Sequence, residues 1–411
     1  MKHKKTKSNV IERYLYAVDM EYALTCFWGK WAFNFSNRLQ QIPQGFTCGK
    51  LLLRFSTILN PLMPLFCFGW VIIGMPLYTI IWTVSWLLSG GWNQRTTCPA
   101  TVYIHASTDR YLSFVPREKG RPSVAIVLPF RKTSTIGSWP DELVDLRAIT
   151  TRTTIIRAAV LSIRATIRLF FSGQTKKVLF TYTAPNWFWV DDALETVSPT
   201  SIWMSNHYDR WAALATSRPN SSVTIVQHGL LRQMDYRTGE NVIYKLQSIL
   251  PNIKRVFVLD EQSIAEFKAA ITGEGPEFIK IKSKLNIVPW KRLHPQQLRV
   301  FVIGSPRIKN KTILLAQNLL YELPGNVAIA YRPHPCEPQP VIFPEFENNL
   351  VKVVPPDDTV PEMDVILDYG SSFAGEIVAA TGAKLIGWNG YTSEDIIAVI
   401  REIKARQMTL Q

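Results

Sequence analysis

Cysteine and histidine are scarce, five and six residues in a chain of 411. The cysteines (Cys26, Cys48, Cys67, Cys98, Cys336) are odd in number and form neither a CxxC nor a Cys/His ligand spacing. That excludes a disulfide framework and a structural zinc site, and implies free thiols in a reducing compartment. The GxSxG nucleophile elbow, the Walker A loop and the zinc-protease string are absent. Adjacent aspartates occur only at Asp191-Asp192 and Asp357-Asp358, neither in the Asp-x-Asp form that holds a divalent ion, so no metal and no cofactor is expected. The basic start, MKHKKTKSNVIERYLY, lacks the short apolar core and small-residue cleavage site of a removable signal peptide. Acidic residues are also few, 32 against 46 Lys and Arg, a net charge of +14. Such an excess favours anionic partners without choosing among nucleic acid, acidic lipid and phosphorylated substrates.

The longest absence is also the strongest presence. From Ser56 to Gln94 no residue is charged, and the stretch is rich in Leu, Ile, Phe and Trp. It exceeds the roughly 20 apolar residues that a membrane-spanning helix needs. Pro61, Pro64 and Pro76 interrupt it, and Gly74-Met75-Pro76 is expected to divide it into two pieces, each short for a full span. Lys50 and Arg54 precede the run, and Arg95, Arg110, Arg117 and Arg121 follow it. Basic residues on both flanks place both ends on the cytoplasmic side, which favours a re-entrant or interfacial hairpin over a single span. Tyr22 to Arg38 mixes aromatics with cations and suits the headgroup layer.

Beyond about Pro99 the texture changes to apolar runs of four to eight residues separated by helical segments. TVYIHAS, SVAIVLPF, KKVLFTYTA, TSIWMSNH, SVTIVQHG and RVFVLD read as buried strands. Residues 153–171, 209–217 and 261–271 read as helices. Lys282 to Gln297, basic and broken by Pro289 and Pro295, reads as an interdomain connection. LRVFVIGSP, NVAIAYRPHP, LVKVVP, DVILDYG and AKLIGW then form a second alternating set with helices near 311–322, 372–381 and 393–406. The expected fold class is α/β: two Rossmann-like domains, 98–290 and 291–411, facing a cleft at the carboxyl ends of their strands and preceded by a membrane-associated helical region, 1–97.

Polar residues gather where those strands end. In VQHGLLRQ, Gly229 permits a tight turn that exposes His228, with Arg232 a turn later; a histidine there can take a proton from an attacking hydroxyl near neutral pH. In YRPHP, two prolines fix the direction of His334 beside Arg332, a pairing suited to a diphosphate. In MDVILDYGSSFAGEIVAATGAKLIGW, a helix starting after Gly370, Ser371 and Ser372 offers unpaired backbone N–H groups and two hydroxyls to a phosphate, with Glu376 one turn further in. Gly304-Ser305-Pro306-Arg307 ends another strand and adds a phosphate contact through Ser305 and Arg307. Asn206-His207-Tyr208-Asp209 offers an acceptor contact through His207. His105 and His294 have no partner by spacing, and Asp260-Glu261 reads as a helix cap.

The order His228-Gly229, His334-Pro335, Ser371-Ser372 and Glu376 on two Rossmann-like domains resembles the GT-B transferases that build bacterial surface polymers. It is similar to the CDP-glycerol glycerophosphotransferases of teichoic acid synthesis and, more distantly, to the capsule sialyl- and Kdo-transferases. The resemblance covers about Val223 to Trp388. It implies His228 as base or leaving-group stabiliser, His334 on the donor phosphate, Ser371 and Ser372 on phosphate oxygens, and Glu376 on the nucleotide ribose. Leu230-Leu231 stand where the glycerophosphate enzymes have a small polar residue and proline, which leaves the donor open. Gln227-His228 stand where capsule sialyltransferases have an acidic pair before the glycine. The expected activity is membrane-associated transfer of a glycosyl or polyol-phosphate group from a CDP- or CMP-linked donor to a lipid-linked glycan. The expected place is the cytoplasmic face of the bacterial inner membrane, against an anionic membrane surface and without nucleic acid as partner. The competing reading is a catalytically inactive GT-B-like scaffold anchored to the membrane.

Overall fold

The computed structural model describes residues 9–28, 63–92, 100–105, 112, 114–116, 119–129, 141–205, 209–227, 250–282, 285–304, 309–333, 351–354, 359–369, 372–388 and 391–409, and every structural statement below concerns these. The chain forms two compact units. One is drawn from Met1–His228, Tyr244–Val258 and Phe267–Ile279, the other from Gly229–Ile243, Leu259–Glu266 and Lys280–Gln411.

The first unit is built on a sheet of β1 (Thr101–His105), β2 (Val124–Val127), β3 (Glu142–Asp145), β4 (Ser201–Met204), β5 (Ser222–Val226), β6 (Ile253–Val258) and β7 (Glu277–Lys280). Its spatial order is β3-β2-β1-β4-β5-β6-β7, with β1 to β6 parallel. Strands buried on both faces need continuous apolar sequence, and the four residues of β2, Val-Ala-Ile-Val, are all buried.

The second unit carries β8 (Asn286–Val288), β9 (Leu298–Ile303), β10 (Val327–Arg332), β11 (Val351–Val353), β12 (Thr359–Pro361), β13 (Val365–Asp368) and β14 (Lys384–Gly387). Five of these form a parallel sheet in the order β11-β10-β9-β13-β14, while β8 pairs with β12, so the expected connection at 282–297 contains a short strand. Side-chain parity sorts this sheet into two faces. Val300, Val302, Ile329, Tyr331, Val365 and Leu367 share one core with helices Lys309–Glu322 and Ser393–Thr409. Phe301, Ile303, Ala330 and Ile366 share the other with Phe373, Ala374 and Ile377 of helix Ser372–Thr381. Helices on both faces of a parallel sheet are what the alternating sequence requires.

A helical layer completes the first unit: α1 (Val10–Trp28), α2 (Met63–Gly69), α3 (Met75–Leu87), α4 (Leu146–Ile149), α5 (Arg152–Phe171) and α6 (Ala184–Val197). The expected break at Gly74-Met75-Pro76 does not occur. A π turn over Trp70–Gly74, closed by the Met75 N–H on the Trp70 carbonyl, joins α2 to α3 in one apolar rod rather than a hairpin. Pro76 lacks an N–H and its ring crowds the preceding turn, and the wider π turn accommodates both faults. Gly74 is required there, because a Cβ would stand 2.6 Å from the Trp70 ring.

KKVLFTYTA is likewise not a strand. All but its last residue lies within a 3₁₀ helix, Thr175–Thr183, that buries Val178, Phe180 and Thr181; Ala184 begins α6. The hydroxyls of Thr181 and Thr183 donate to the carbonyls of Val178 and Phe180, a local bond that competes with strand pairing. Tyr22, in the aromatic stretch, packs edge-on against Phe180 at 5.8 Å; residues 29–38 lie outside the described part. Asp191 and Asp192 are structural: Asp191, 5% exposed, bonds Arg13 at 2.6 Å and Arg218 at 2.7 Å, and Asp192 bonds Arg157 at 2.9 Å. Cys67 is buried and in no disulfide among the described residues; the other cysteine side chains lie outside the described part.

Candidate functional site

Both sheets reverse their winding beside their first strand. In the second unit, connections from β9 proceed outward through β10 and β11, and those from β13 proceed the other way to β14. The chain segments leaving β9 and β13 therefore diverge, and open α/β sheets bind ligands in the crevice this leaves at the carboxyl ends. β9 ends at Ile303, two residues before Ser305; β13 ends at Asp368, and α7 (Ser372–Thr381) starts four residues later. Gly304, Ser305, Arg307, Ser371 and Ser372 thus belong by sequence to the two connections that border the crevice.

Arg332 ends β10, pairs across the ladder with Ile303, and is 7% exposed. Its parity is that of Ala330, so it lies on the face covered by α7. There its guanidinium sits 3.7 Å from the centroid of the Phe373 ring, in the first turn of that helix. Stacking of this kind is worth about 0.5–2 kcal/mol and fixes a planar cation beside the positive end of the helix dipole. Asp368, 2% exposed, falls on the same face as Ile366, two strands from Arg332. Glu376, also 2% exposed, follows Phe373 by three positions, so it shares the sheet-facing side of the helix. The Gly304 N–H donates to the Arg332 carbonyl at 2.8 Å, holding the tips of β9 and β10 together. The result is a buried cation and two buried carboxylates around a helix N-terminus, a setting able to order an anion and a hydroxyl-bearing group at once.

The remaining expected site residues are reached only by sequence. His228, Gly229, Arg232, Ser305, Arg307, His334, Ser371 and His207 lie outside the described part, and the Ser372 side chain is not described. β5 ends at Val226, two residues before His228, and β10 ends two residues before His334. Asp209 is the cap of a short helix, Arg210–Thr216, and accepts from the N–H groups of Trp211 and Ala212. Asp260 caps Glu261–Phe267 in the same manner, accepting from the Ser263 N–H at 2.8 Å.

The first sheet has a switch point of its own, between β1 and β4, which no sequence spacing marks. His105 at the tip of β1 is 2% exposed, and at the tip of β4 Ser205 exchanges a 2.6 Å hydrogen bond with the Tyr103 hydroxyl. Gln227, wholly buried, closes β5 by donating its N–H to Phe257. The signal was present, since TVYIHAS ends an apolar run on a histidine just as SVTIVQHG does. Neighbours four residues away gave it no support; Ser205 arrives from a strand a hundred residues later.

No family model and no curated protein matches the chain. Among solved structures it is similar to the glycotransferase of kitacinnamycin, at 13% identity, with 75% of this chain and 91% of that one covered and a TM-score of 0.40. It is also similar to the calicheamicin glycosyltransferase, at 8% identity, 75% and 90% coverage and a TM-score of 0.40. A third is the UDP-GlcNAc 2-epimerase of Methanocaldococcus jannaschii, at 10% identity, 71% and 84% coverage and a TM-score of 0.35.

Proposed function

We propose that the protein is a membrane-associated GT-B-type transferase moving a glycosyl or polyol-phosphate group from a CDP- or CMP-linked donor to a lipid-linked glycan. It would act in bacterial surface-polysaccharide synthesis at the cytoplasmic face of the inner membrane. One observation supports the donor site above the others: the Arg332 guanidinium stacked over the first turn of α7, at the switch point of the second sheet. In this reading the helix N-terminus, Ser371, Ser372, Arg332 and His334 hold the donor phosphates, Ser305 and Arg307 add contacts from the β9 connection, and Glu376 accepts from the ribose. His228 takes the proton from the acceptor hydroxyl while its oxygen attacks. The bond to the nucleotide phosphate breaks, and the charge left there meets Arg332 and His334.

The test is titration of the purified protein with CDP, CMP and UDP, followed by turnover with CDP-polyols, CMP-sugars and UDP-sugars on a membrane extract. Saturable cytidine-nucleotide binding that weakens in Arg332→Ala, His334→Ala and Ser371→Ala supports the reading, and losing one preorganised donor should cost about 10²- to 10³-fold in rate. Wild-type binding and turnover in all three variants would remove the site.

A further inference from the structure

The apolar rod is about 36 Å long at 1.5 Å per residue, over the 24 residues of Pro64–Leu87, sufficient for a bilayer core of about 30 Å. Its packing gives it another role. Cys67, Val71, Met75, Thr79 and Trp82 form one buried stripe along its whole length. The indole N–H of Trp70 donates to the Thr181 hydroxyl at 3.0 Å, and that of Trp82 donates to the Asn186 side-chain oxygen at 2.9 Å. Phe68 meets Phe170 at 6.1 Å, near the end of α5, while Trp86 lies 5.8 Å from Arg147, just ahead of its start. The rod and α5 therefore run antiparallel, side by side. A rod crossing the bilayer would carry the arginine-bearing α5 into hydrocarbon with it, where such side chains are expelled.

The uncovered faces are apolar on both helices. Thirteen large apolar side chains, each at least 41% exposed, lie here: Leu65 to Leu88 supply nine, and Ile156, Val160, Ile167 and Phe171 of α5 supply four. Only four others are exposed to that degree among the described residues. The ring chain Phe68–Phe170–Phe171 joins the two sets, with Phe170 and Phe171 5.6 Å apart. On α5 the exposed apolar row at 156, 160, 167 and 171 is flanked one position round by exposed Arg157, Arg164 and Arg168, of which Arg157 also reaches Asp192 and Arg168 also pairs with Glu12. An apolar row beside a cationic row matches the acyl boundary and the phosphate layer of an anionic leaflet.

We infer that the protein docks monotopically: the rod and α5 lie together in the plane of an anionic leaflet, apolar rows at the acyl boundary and arginines at the phosphates. This rests on the membrane part of the proposed function and is independent of its transfer chemistry. The full-length protein is floated with vesicles of phosphatidylcholine plus phosphatidylglycerol, and of phosphatidylcholine alone. The variant Ile156→Asn/Ile167→Asn/Phe171→Asn changes only exposed positions of α5 and leaves the rod intact, and a thermal melt confirms that it folds. Its partition onto anionic vesicles should fall at least about tenfold, and Arg164→Glu should lower partition onto anionic vesicles only. Unchanged partition of the triple variant, as a spanning rod would give, overturns the inference. So does a lipid-free dimer that the triple variant dissociates, with no vesicle binding by the parent protein. Cytidine-nucleotide titration separates the two proposals: its failure in the parent protein removes the donor site and leaves a positive flotation result standing.

Discussion

The two sheets wind in the same way around their first strand yet bring different chemistry to the same topological place. At the second switch point stand Asp368 and, in the helix that follows, Glu376, with Arg332 one strand out at the end of β10; all three are ionisable and buried. At the first stand Tyr103, His105 and Ser205, with Gln227 one strand further out at the end of β5. Shape is therefore shared and side-chain chemistry is not: ionisable side chains are buried near one switch point, and mostly hydroxyl, amide and imidazole groups near the other.

Four experiments break or sharpen that contrast. The largest effect belongs to the scaffold: Asp191→Ala leaves Arg13 and Arg218 facing a vacated carboxylate site and should cost about 3–5 kcal/mol in urea unfolding. Next, Arg332→Ala should weaken cytidine-nucleotide affinity about 10²-fold by calorimetry, whereas His105→Ala should leave it unchanged. Equal losses in both variants would mean that the sheets do not divide the work. Third, Ser205→Ala removes one hydrogen-bond partner of the Tyr103 hydroxyl and should cost about 0.5–1.5 kcal/mol in the same unfolding assay, with nucleotide affinity unaltered.

The smallest effect is a pH effect in the second unit. Burial alone would raise the Asp364 carboxyl, but hydrogen bonds from the Arg299 side chain and backbone, with the charges of Arg299 and Arg292, outweigh it and hold the group below the usual carboxylate range. A lowered folded-state pKa contributes stability that is complete above the unfolded value of about 3.9 and is lost as pH falls through the folded value. Asp364→Asn should therefore flatten the acid limb of stability below about pH 4 while changing little of its shape near neutrality. A parallel downward shift of the whole curve would assign Asp364 a packing role instead.

How much was legible follows from how local each signal is. VFVI and VIL announce buried strands because residues must be apolar when both faces are covered, and the Gly-Ser-Ser sequence ahead of Phe373 announces the start of α7. Arg332 and Glu376 could be singled out because a charge stands beside or inside an apolar run. Asp368 and His105 carry the same mark, but sequence spacing offers them no partner, since their neighbours across the sheet are far away in sequence. KKVLFTYTA has strand composition and folds as a 3₁₀ segment up to Thr183, where the Thr181 and Thr183 hydroxyls bond carbonyls three residues back and Trp70 donates to Thr181 from a distant part of the chain.

By itself, the sequence determined two alternating α/β sets, an uncharged apolar stretch and a basic surface, because pattern period and charge are properties of neighbouring residues. Only the tertiary structure decided that the stretch is one rod lying along α5, and which strand tips share a switch point. Those facts depend on strand order and on which helix face meets which partner, and such contacts join residues that the chain keeps far apart.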